Sequence, residues 1–265
     1  MKIGNDEIRN ANRKALPKFL LIMAVISIMG FTLGFLAEKY SLSTLTGVLK
    51  SAGAFFGMYI APWMMLGITV IMPIICVSLY RSAKKQIDLW DGEDEEVYTI
   101  IDRRLSLVLW ILNSFLIFSF FLMAAVYSGG TDIFESGYMT VLFFITVVSV
   151  FVVIFEMLII GQKCVDSAKR INPEKKASFY DMKFQKKWME DCDEAEKIMI
   201  GKCAFKAYSA TNRVCAVSAG VLAGCALIFK IGFLPSLAVC LIWLVNRSVY
   251  CREAIRYYKA GNKIP

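Results

Sequence analysis

Glu156 is the side chain with the clearest potential for chemistry, because it lies inside an apolar stretch of residues 137–161 that is long enough to cross a membrane. An ionisable residue in such a segment is a functional candidate by default. Asn113 and Ser114 lie at a similar depth in another apolar segment and could hydrogen-bond to it. The carboxylate could relay an ion or substrate, reach the headgroups, or pair with Lys163, Arg103 or Arg104. We expect it to point into the helix bundle.

Several common catalytic and metal-binding groups are missing. The chain has no histidine, which is the commonest general base and transition-metal ligand. Its eight cysteines include no Cys-x-x-Cys pair, so the spacing of a structural zinc site is not present. Metalloprotease, P-loop and nucleophile-elbow motifs are also absent from the sequence. We therefore expect no enzymatic activity, no cofactor and no metal.

Two acidic clusters each follow a tryptophan and lead into a later apolar segment. Asp91 with Asp94, and Asp191 with Glu194, fit the D-x-x-[DE] pattern of a helix start. An aspartate at that position accepts a hydrogen bond from an early backbone N–H, and acids in the first turn oppose the helix dipole. The same carboxylates could bind a divalent cation, but no EF-hand spacing is present. The sequence favours helix capping.

Glycines recur at a spacing of four residues in three places. Small residues at this spacing let membrane helices approach closely. The pattern favours packing within the chain, and a dimer face is the alternative. The pairs are Gly30 with Gly34, Gly53 with Gly57, and Gly220 with Gly224.

The composition indicates the class of protein that must position these residues. Of the 265 residues, 57% are hydrophobic and 20% are charged. A soluble domain has about 45–50% apolar and about 25% charged residues. This excess of apolar residues excludes a disordered protein, a nucleic-acid-binding domain and a disulfide-rich secreted module. The net charge of +8 therefore implies no nucleic-acid partner.

Six stretches approach the length of about 20 apolar residues that a membrane-crossing helix needs. They predict an all-α polytopic bundle, a single integral membrane domain over 1–265, with six transmembrane helices arranged as three hairpins. Helical loops over 81–104 and 162–213 connect the hairpins. The six predicted spans are 19–37, 55–80, 105–127, 137–161, 214–229 and 231–249.

The distribution of basic residues predicts the orientation. Of the 30 lysines and arginines, all but Lys39, Lys50 and Lys230 fall in the termini and in the two long loops. Cytoplasmic loops carry such an excess of positive charge. Both termini and both long loops are therefore expected in the cytoplasm.

The loop 162–213 contains a basic, aromatic stretch after Pro173. Phe179, Met182 and Trp188 are interleaved with lysines, which predicts a separate amphipathic helix over 174–190. Such a helix could lie on anionic lipid or pack against the helix that follows it.

The run Glu194-Ala195-Glu196-Lys197 after Trp188, leading into a long helix, resembles an uncharacterised family of multi-pass membrane proteins from Gram-positive bacteria. That family is catalogued as a domain of unknown function, and the resemblance covers roughly residues 15–260. It implies a bacterial plasma membrane, and it implies neither an activity nor catalytic residues.

The charge lies mainly in the loops that we expect in the cytoplasm. This favours a non-enzymatic, partner-binding or signalling accessory component that acts through its cytoplasmic helices. The expected partners are the lipid bilayer and either a cytoplasmic protein or a second copy of the chain. The alternative is a permease or the membrane subunit of an ATP-binding-cassette-type exporter, in which the acidic helix before the third span docks an ATPase.

Overall fold

The computed structural model describes residues 43–90, 94–229 and 231–259, with isolated positions 17, 20, 21, 24, 25, 28 and 32. Over the described residues the chain is all helical and has no strand, as the sequence predicts. The first predicted span, 19–37, lies outside the described residues except at the isolated positions. The helices are α1 Ser43–Phe55, α2 Ala61–Leu89, α3 Glu95–Tyr127, α4 Gly137–Ile171, α5 Phe184–Glu190, α6 Glu194–Phe229 and α7 Leu234–Lys259.

Four stretches of the described helices are long and apolar enough to cross a membrane. They coincide with the second, third, fourth and sixth predicted spans. The fifth predicted span, 214–229, is helical as part of α6 but is not among the four. The four stretches are Gly47–Leu89, Glu96–Tyr127, Gly137–Ile171 and Leu234–Arg256.

The chain forms two compact units, one of Leu49–Ile200 and one of Met1–Val48 with Gly201–Pro265. In the first unit α2, α3 and α4 pack side by side. Their outer faces expose large apolar side chains, such as Trp110 (66% exposed) and Ile117 (70%). Helices that are apolar on all sides are typical of membrane spans. The buried core includes Met65, Met72 and Cys76 of α2, Val108, Leu112 and Leu122 of α3, and Val150 and Val153 of α4.

A π-helical turn at Phe56–Ile60 joins α1 to α2. Pro62 follows directly in the first turn of α2 and has no N–H to continue the regular helical hydrogen bonds. A single wider turn is a common way to accommodate such a residue within a helix. Gly57 in this turn lies against α3, since a Cβ at residue 57 would be 2.2 Å from the carbonyl oxygen of Ala125.

The acidic cluster before α3 caps this helix, but the cap is Asp94 and not Asp91, the position that the D-x-x-[DE] pattern predicts. The Asp94 carboxylate accepts hydrogen bonds from the backbone N–H groups of Glu96 (2.9 Å) and Val97 (3.2 Å). The Trp90 indole N–H donates to the Asp94 carbonyl (3.1 Å), which links the end of α2 to the start of α3. Asp91 lies outside the described residues.

The second unit contains α7 and the part of α6 from Gly201 onward, which together form a hairpin. Gly232, with φ +79°, makes the tight turn between them, a conformation that glycine adopts without strain. The Trp243 indole donates to Asn212 (3.0 Å), and Arg247 donates to the Tyr208 hydroxyl (3.0 Å). These polar contacts fix the pairing of the two helices in this hairpin.

Candidate functional site

The connection between α4 and α6, residues 172–193, is folded against the end of the bundle where α3 begins and α4 ends. We call it the docked loop. The prediction of an amphipathic helix over 174–190 is wrong for residues 174–183, which form turns and irregular structure. Only α5, at the end of this stretch, is helical. Local side-chain hydrogen bonds compete with helix formation here. One example is the Asp181 carboxylate, which accepts from the Lys183 backbone N–H (2.8 Å).

Gln162 on α4 anchors the docked loop through its side-chain amide. The amide oxygen accepts hydrogen bonds from the Phe179 backbone N–H (2.9 Å) and the Ser178 hydroxyl (3.1 Å). The amide nitrogen donates to Asp166, one turn along the helix (2.7 Å), which fixes the orientation of the group. Gln162 therefore satisfies a backbone N–H that lies outside regular structure, and it defines where the loop sits on α4.

Gly161 provides the space for this contact. A Cβ at residue 161 would lie 2.6 Å from the Phe179 ring, so the ring packs directly on the α4 backbone. Phe184 lies 5.5 Å from Phe179 and 5.5 Å from Trp188, measured between ring centroids. This row of three aromatic rings attaches the docked loop by apolar contact.

Lys175 is buried within the docked loop, with a side chain that is 3% exposed. Its ammonium forms a salt bridge with Glu196 in the first turn of α6 and donates a hydrogen bond to the Cys192 sulfur (2.9 Å). It also lies 5.3 Å from the centre of the Trp188 ring. Burial alone would lower the pKa of Lys175, but the hydrogen bonds to Cys192 and Glu196 outweigh it and raise the pKa. The lysine stays charged and ties the docked loop to α6.

A cleft of about 250 Å³ lies beside this salt bridge. We call it the polar cleft, because charged side chains lie among its mostly apolar walls. The exposed Asp102 carboxylate interacts electrostatically with both Glu196 and Lys175. The cleft therefore offers two carboxylates and one ammonium next to apolar walls. Its polar lining comes from α3, the docked loop and α6, namely Tyr98, Asp102, Ser106, Asn172, Lys175 and Glu196.

The chemistry of the cleft suits binding better than nucleophilic attack. Cys164 and Cys192 are the thiols on its wall, and burial raises the pKa of the Cys192 thiol. A reactive cysteine has the opposite property, because the thiolate is the nucleophile. Among the described residues, no three cysteine, aspartate or glutamate side chains are grouped closely enough to hold a metal ion.

The helix cap predicted at Asp191 is formed two residues later. Asp193 accepts a hydrogen bond from the Glu196 backbone N–H (2.7 Å), and its own carbonyl accepts from the Lys197 N–H (2.9 Å). The Asp191 carboxylate instead accepts from the Lys176 backbone N–H within the docked loop (2.7 Å). Glu194 lies in the first turn of α6, as predicted.

Glu156, Asn113 and Ser114 are not brought together. Asn113 and Ser114 donate to carbonyl groups four residues earlier on their own helix, both at 2.8 Å. The Arg104 guanidinium donates to the Ser82 hydroxyl (2.7 Å). One carboxylate oxygen of Glu156 is buried and has no hydrogen-bond partner among the described residues. The predicted polar pairing therefore does not form in this structure.

The glycine pairs differ in what surrounds them. Gly57 is in close contact with α3, whereas a Cβ at Gly53 would contact no described atom within 4 Å. The same holds for Gly220 and Gly224. Gly30 and Gly34 lie outside the described residues. Close backbone approach is thus shown at one of the predicted positions.

Lys175 and Gln162 are the important residues that the sequence reasoning missed. Lys175 follows Pro173 within a run of charged residues, which is typical of a solvated surface. Gln162 directly follows the predicted fourth span, where a polar residue is ordinary. One feature of the sequence could have indicated this contact. Gly161 and Gln162 are adjacent at the end of a predicted span, and a long loop that contains several aromatic residues follows them.

The comparisons with known proteins do not identify a relative. No family model matches the chain, and no curated protein or solved structure matches it either. The resemblance to the uncharacterised Gram-positive family therefore stays a prediction, and the function must be argued from the site.

Proposed function

We propose that the protein is a non-enzymatic accessory or signalling component of a bacterial plasma membrane that binds a protein partner through the docked loop. It has six transmembrane helices in three hairpins, with both termini and the docked loop in the cytoplasm. Four helices with the length and hydropathy of spans support the membrane setting. The concentration of basic residues in the long loops supports the orientation.

The observation that carries this proposal is the buried salt bridge between Lys175 and Glu196. A buried ion pair contributes little net stability, because desolvation offsets the attraction, but removing one partner is costly. Such a pair holds two elements in one defined arrangement. Since α6 continues without a break from Glu194 to Phe229, a partner that binds the docked loop acts through Glu196 on the helix that contains the fifth predicted span.

Thiol labelling of intact cells tests the orientation. In a cysteine-free background, we expect Lys176→Cys in the docked loop to resist an impermeant reagent, and Thr131→Cys in the turn between α3 and α4 to react. Both positions are exposed, so the side of the membrane decides the result. Lys175 itself is unsuitable because it is buried. Reaction at residue 176 in intact cells would overturn the orientation.

Site-specific photo-crosslinking in native membranes tests the partner. We expect a photoreactive residue at the exposed Glu174 or Tyr180 to give one discrete protein adduct. The matched control is Tyr138, which is 55% exposed at the other end of α4. Glu196→Gln should reduce the adduct without reducing the amount of the protein, because it loosens the docked loop.

The identity of the adduct distinguishes the functions. A regulator or a second copy of the chain supports the proposal, whereas an ATPase would replace it with the exporter function. No protein adduct at residues 174 and 180, or equal adducts at residue 138, would refute partner binding by the docked loop.

A further inference from the structure

A second cavity lies between the docked loop and the sides of α3 and α4. We call it the flank groove. Its volume of about 580 Å³ falls within the range of about 300–1,000 Å³ that is usual for small-molecule sites. Leu109, Asn113 and Met157 line it on the bundle side. The docked loop contributes Phe179 and the run from residue 182 to residue 186.

The bundle side of the flank groove belongs to the membrane-crossing part of the protein. Leu109 and Asn113 lie in the candidate span Glu96–Tyr127, and Met157 lies in Gly137–Ile171. Leu109 is five residues beyond Arg104, which corresponds to about 7–8 Å along the helix. The groove therefore extends from the level of the headgroups into the outer part of the hydrocarbon.

Met182 on the rim of the groove is fully exposed, at 103% of its reference area. A methionine in this position would be unfavourable in water, since a buried large apolar side chain gains about 1.5–3 kcal/mol relative to an exposed one. Phe179 and Met157 line the same groove. An apolar ligand in the groove would cover the Met182 side chain.

The charge at the groove is positive. Lys183 and Lys186 line it, and no carboxylate among the described residues does so. The nearby Asp181 is engaged in a salt bridge with Lys187. Glu190 approaches Lys186 at 3.8 Å, but both side chains are largely exposed (61% and 76%), so this pair contributes little.

We propose that the flank groove binds one anionic glycerophospholipid from the leaflet on the same side as the docked loop. An acyl chain lies along Leu109 and Met157 beneath Met182, and the phosphate is held by the ammonium groups of Lys183 and Lys186. Apolar walls at the depth of the membrane, with two lysines at the headgroup level, match this ligand in both shape and charge.

Lipid titration of the purified full chain in detergent, read by native mass spectrometry, tests the proposal. We expect one phosphatidylglycerol per chain to bind more tightly than phosphatidylcholine. The double variant Lys183→Gln, Lys186→Gln should bind phosphatidylglycerol about 25-fold more weakly. Each basic residue near an anionic surface contributes about fivefold to the affinity. Lys84→Gln with Lys85→Gln on α2 removes the same charge from outside the groove and should change binding less than twofold.

Two further arms separate the acyl chain from the phosphate. Met182→Ser should weaken phosphatidylglycerol binding several-fold at unchanged charge, and it keeps the proposal testable if the double lysine variant fails to fold. Inorganic phosphate at millimolar concentration should not displace the lipid. Equal affinity for phosphatidylcholine, an equal loss in the α2 lysine variant, or full displacement by inorganic phosphate would overturn the lipid site.

Discussion

The salt bridge between Lys175 and Glu196 allows a quantitative prediction about the docked loop. Glu196→Gln retains a hydrogen-bond acceptor at residue 196 but leaves the Lys175 ammonium buried without its counter-charge. The remaining contacts of that ammonium are the Cys192 sulfur and the face of Trp188, and the more distant Asp102 carboxylate still acts on it electrostatically. We expect the variant to release the docked loop from the bundle much more often, while α2, α3 and α4 stay folded.

The size of this effect follows from the burial of the two side chains. Removing one partner of a buried ion pair costs about 3–5 kcal/mol. The Lys175 side chain is 3% exposed and that of Glu196 is 26% exposed, so the lower end of this range applies. A change of about 3 kcal/mol in the free energy of docking corresponds to roughly a hundredfold change in the opening equilibrium.

Hydrogen–deuterium exchange of the peptide over residues 174–183 measures this equilibrium. The N–H groups of Lys176 and Phe179 are protected by side-chain acceptors that lie outside this peptide. Their exchange should be about a hundredfold faster in Glu196→Gln, whereas exchange in α4 should be unchanged. Lys175→Met with Glu196→Met removes both charges and should restore slow exchange, because paired apolar replacements are often neutral.

Wild-type exchange in Glu196→Gln would refute the argument, since the charge pair would then contribute nothing to docking. Exchange as fast in the double variant as in the single one would also refute it. In that case the shape of the two side chains, rather than the uncompensated ammonium, would hold the loop.

Three further predictions concern individual contacts. Gly57→Ala should lower the free energy of unfolding by about 1–3 kcal/mol, because its Cβ would clash with the Ala125 carbonyl. Gly53→Ala should not lower it, since a Cβ at residue 53 has free space. Thermal unfolding in detergent measures both variants. Gly161→Ala should speed exchange in the docked loop by displacing Phe179, and Phe179→Leu in the same chain should restore slow exchange. Asp193→Ala should cost about 0.5–2 kcal/mol of stability and Asp193→Asn far less, because asparagine caps a helix about as well.

Each of these predictions has an outcome that contradicts it. Equal effects of alanine at residues 53 and 57 would mean that α1 and α2 do not approach α3 as described. If Phe179→Leu does not restore slow exchange in Gly161→Ala, the alanine acts by disturbing the α4 backbone and not by displacing Phe179. Equal losses for alanine and asparagine at residue 193 would argue for a role of the negative charge rather than for capping.

The helical fold and four helices with the length and hydropathy of spans could be predicted because hydropathy over about 20 residues is a local property. A capped helix start in the cluster of Asp91 and Asp94 was predictable for the same reason, since a helix start depends on a few adjacent residues, but the cap itself is Asp94. The cap of α6 was misplaced because residues 191, 193 and 194 are all acidic. The hydrogen bond from Lys176 engages Asp191, and this leaves Asp193 as the cap.

The docked loop could not be predicted because its contacts are distant in sequence. The partner of Lys175 is 21 residues away and the partner of Phe179 is 17 residues away. The pattern of apolar and basic residues over 174–190 is helical in spacing, but the tertiary contacts of Gln162 and Gly161 favour turns over part of it. Gly161 was missed because it has no second glycine at a spacing of four, although its backbone makes the close contact.

Phe184 lines both the polar cleft and the flank groove, so one aromatic ring forms part of the wall of each. If the phospholipid and the partner each require a particular position of this ring, the two binding equilibria are linked. Linkage is reciprocal, so a lipid that raises the affinity for the partner is itself held more tightly by the same factor when the partner is bound. The protein would then register the local content of anionic lipid, and the abundance of its partner would in turn set how long it retains that lipid.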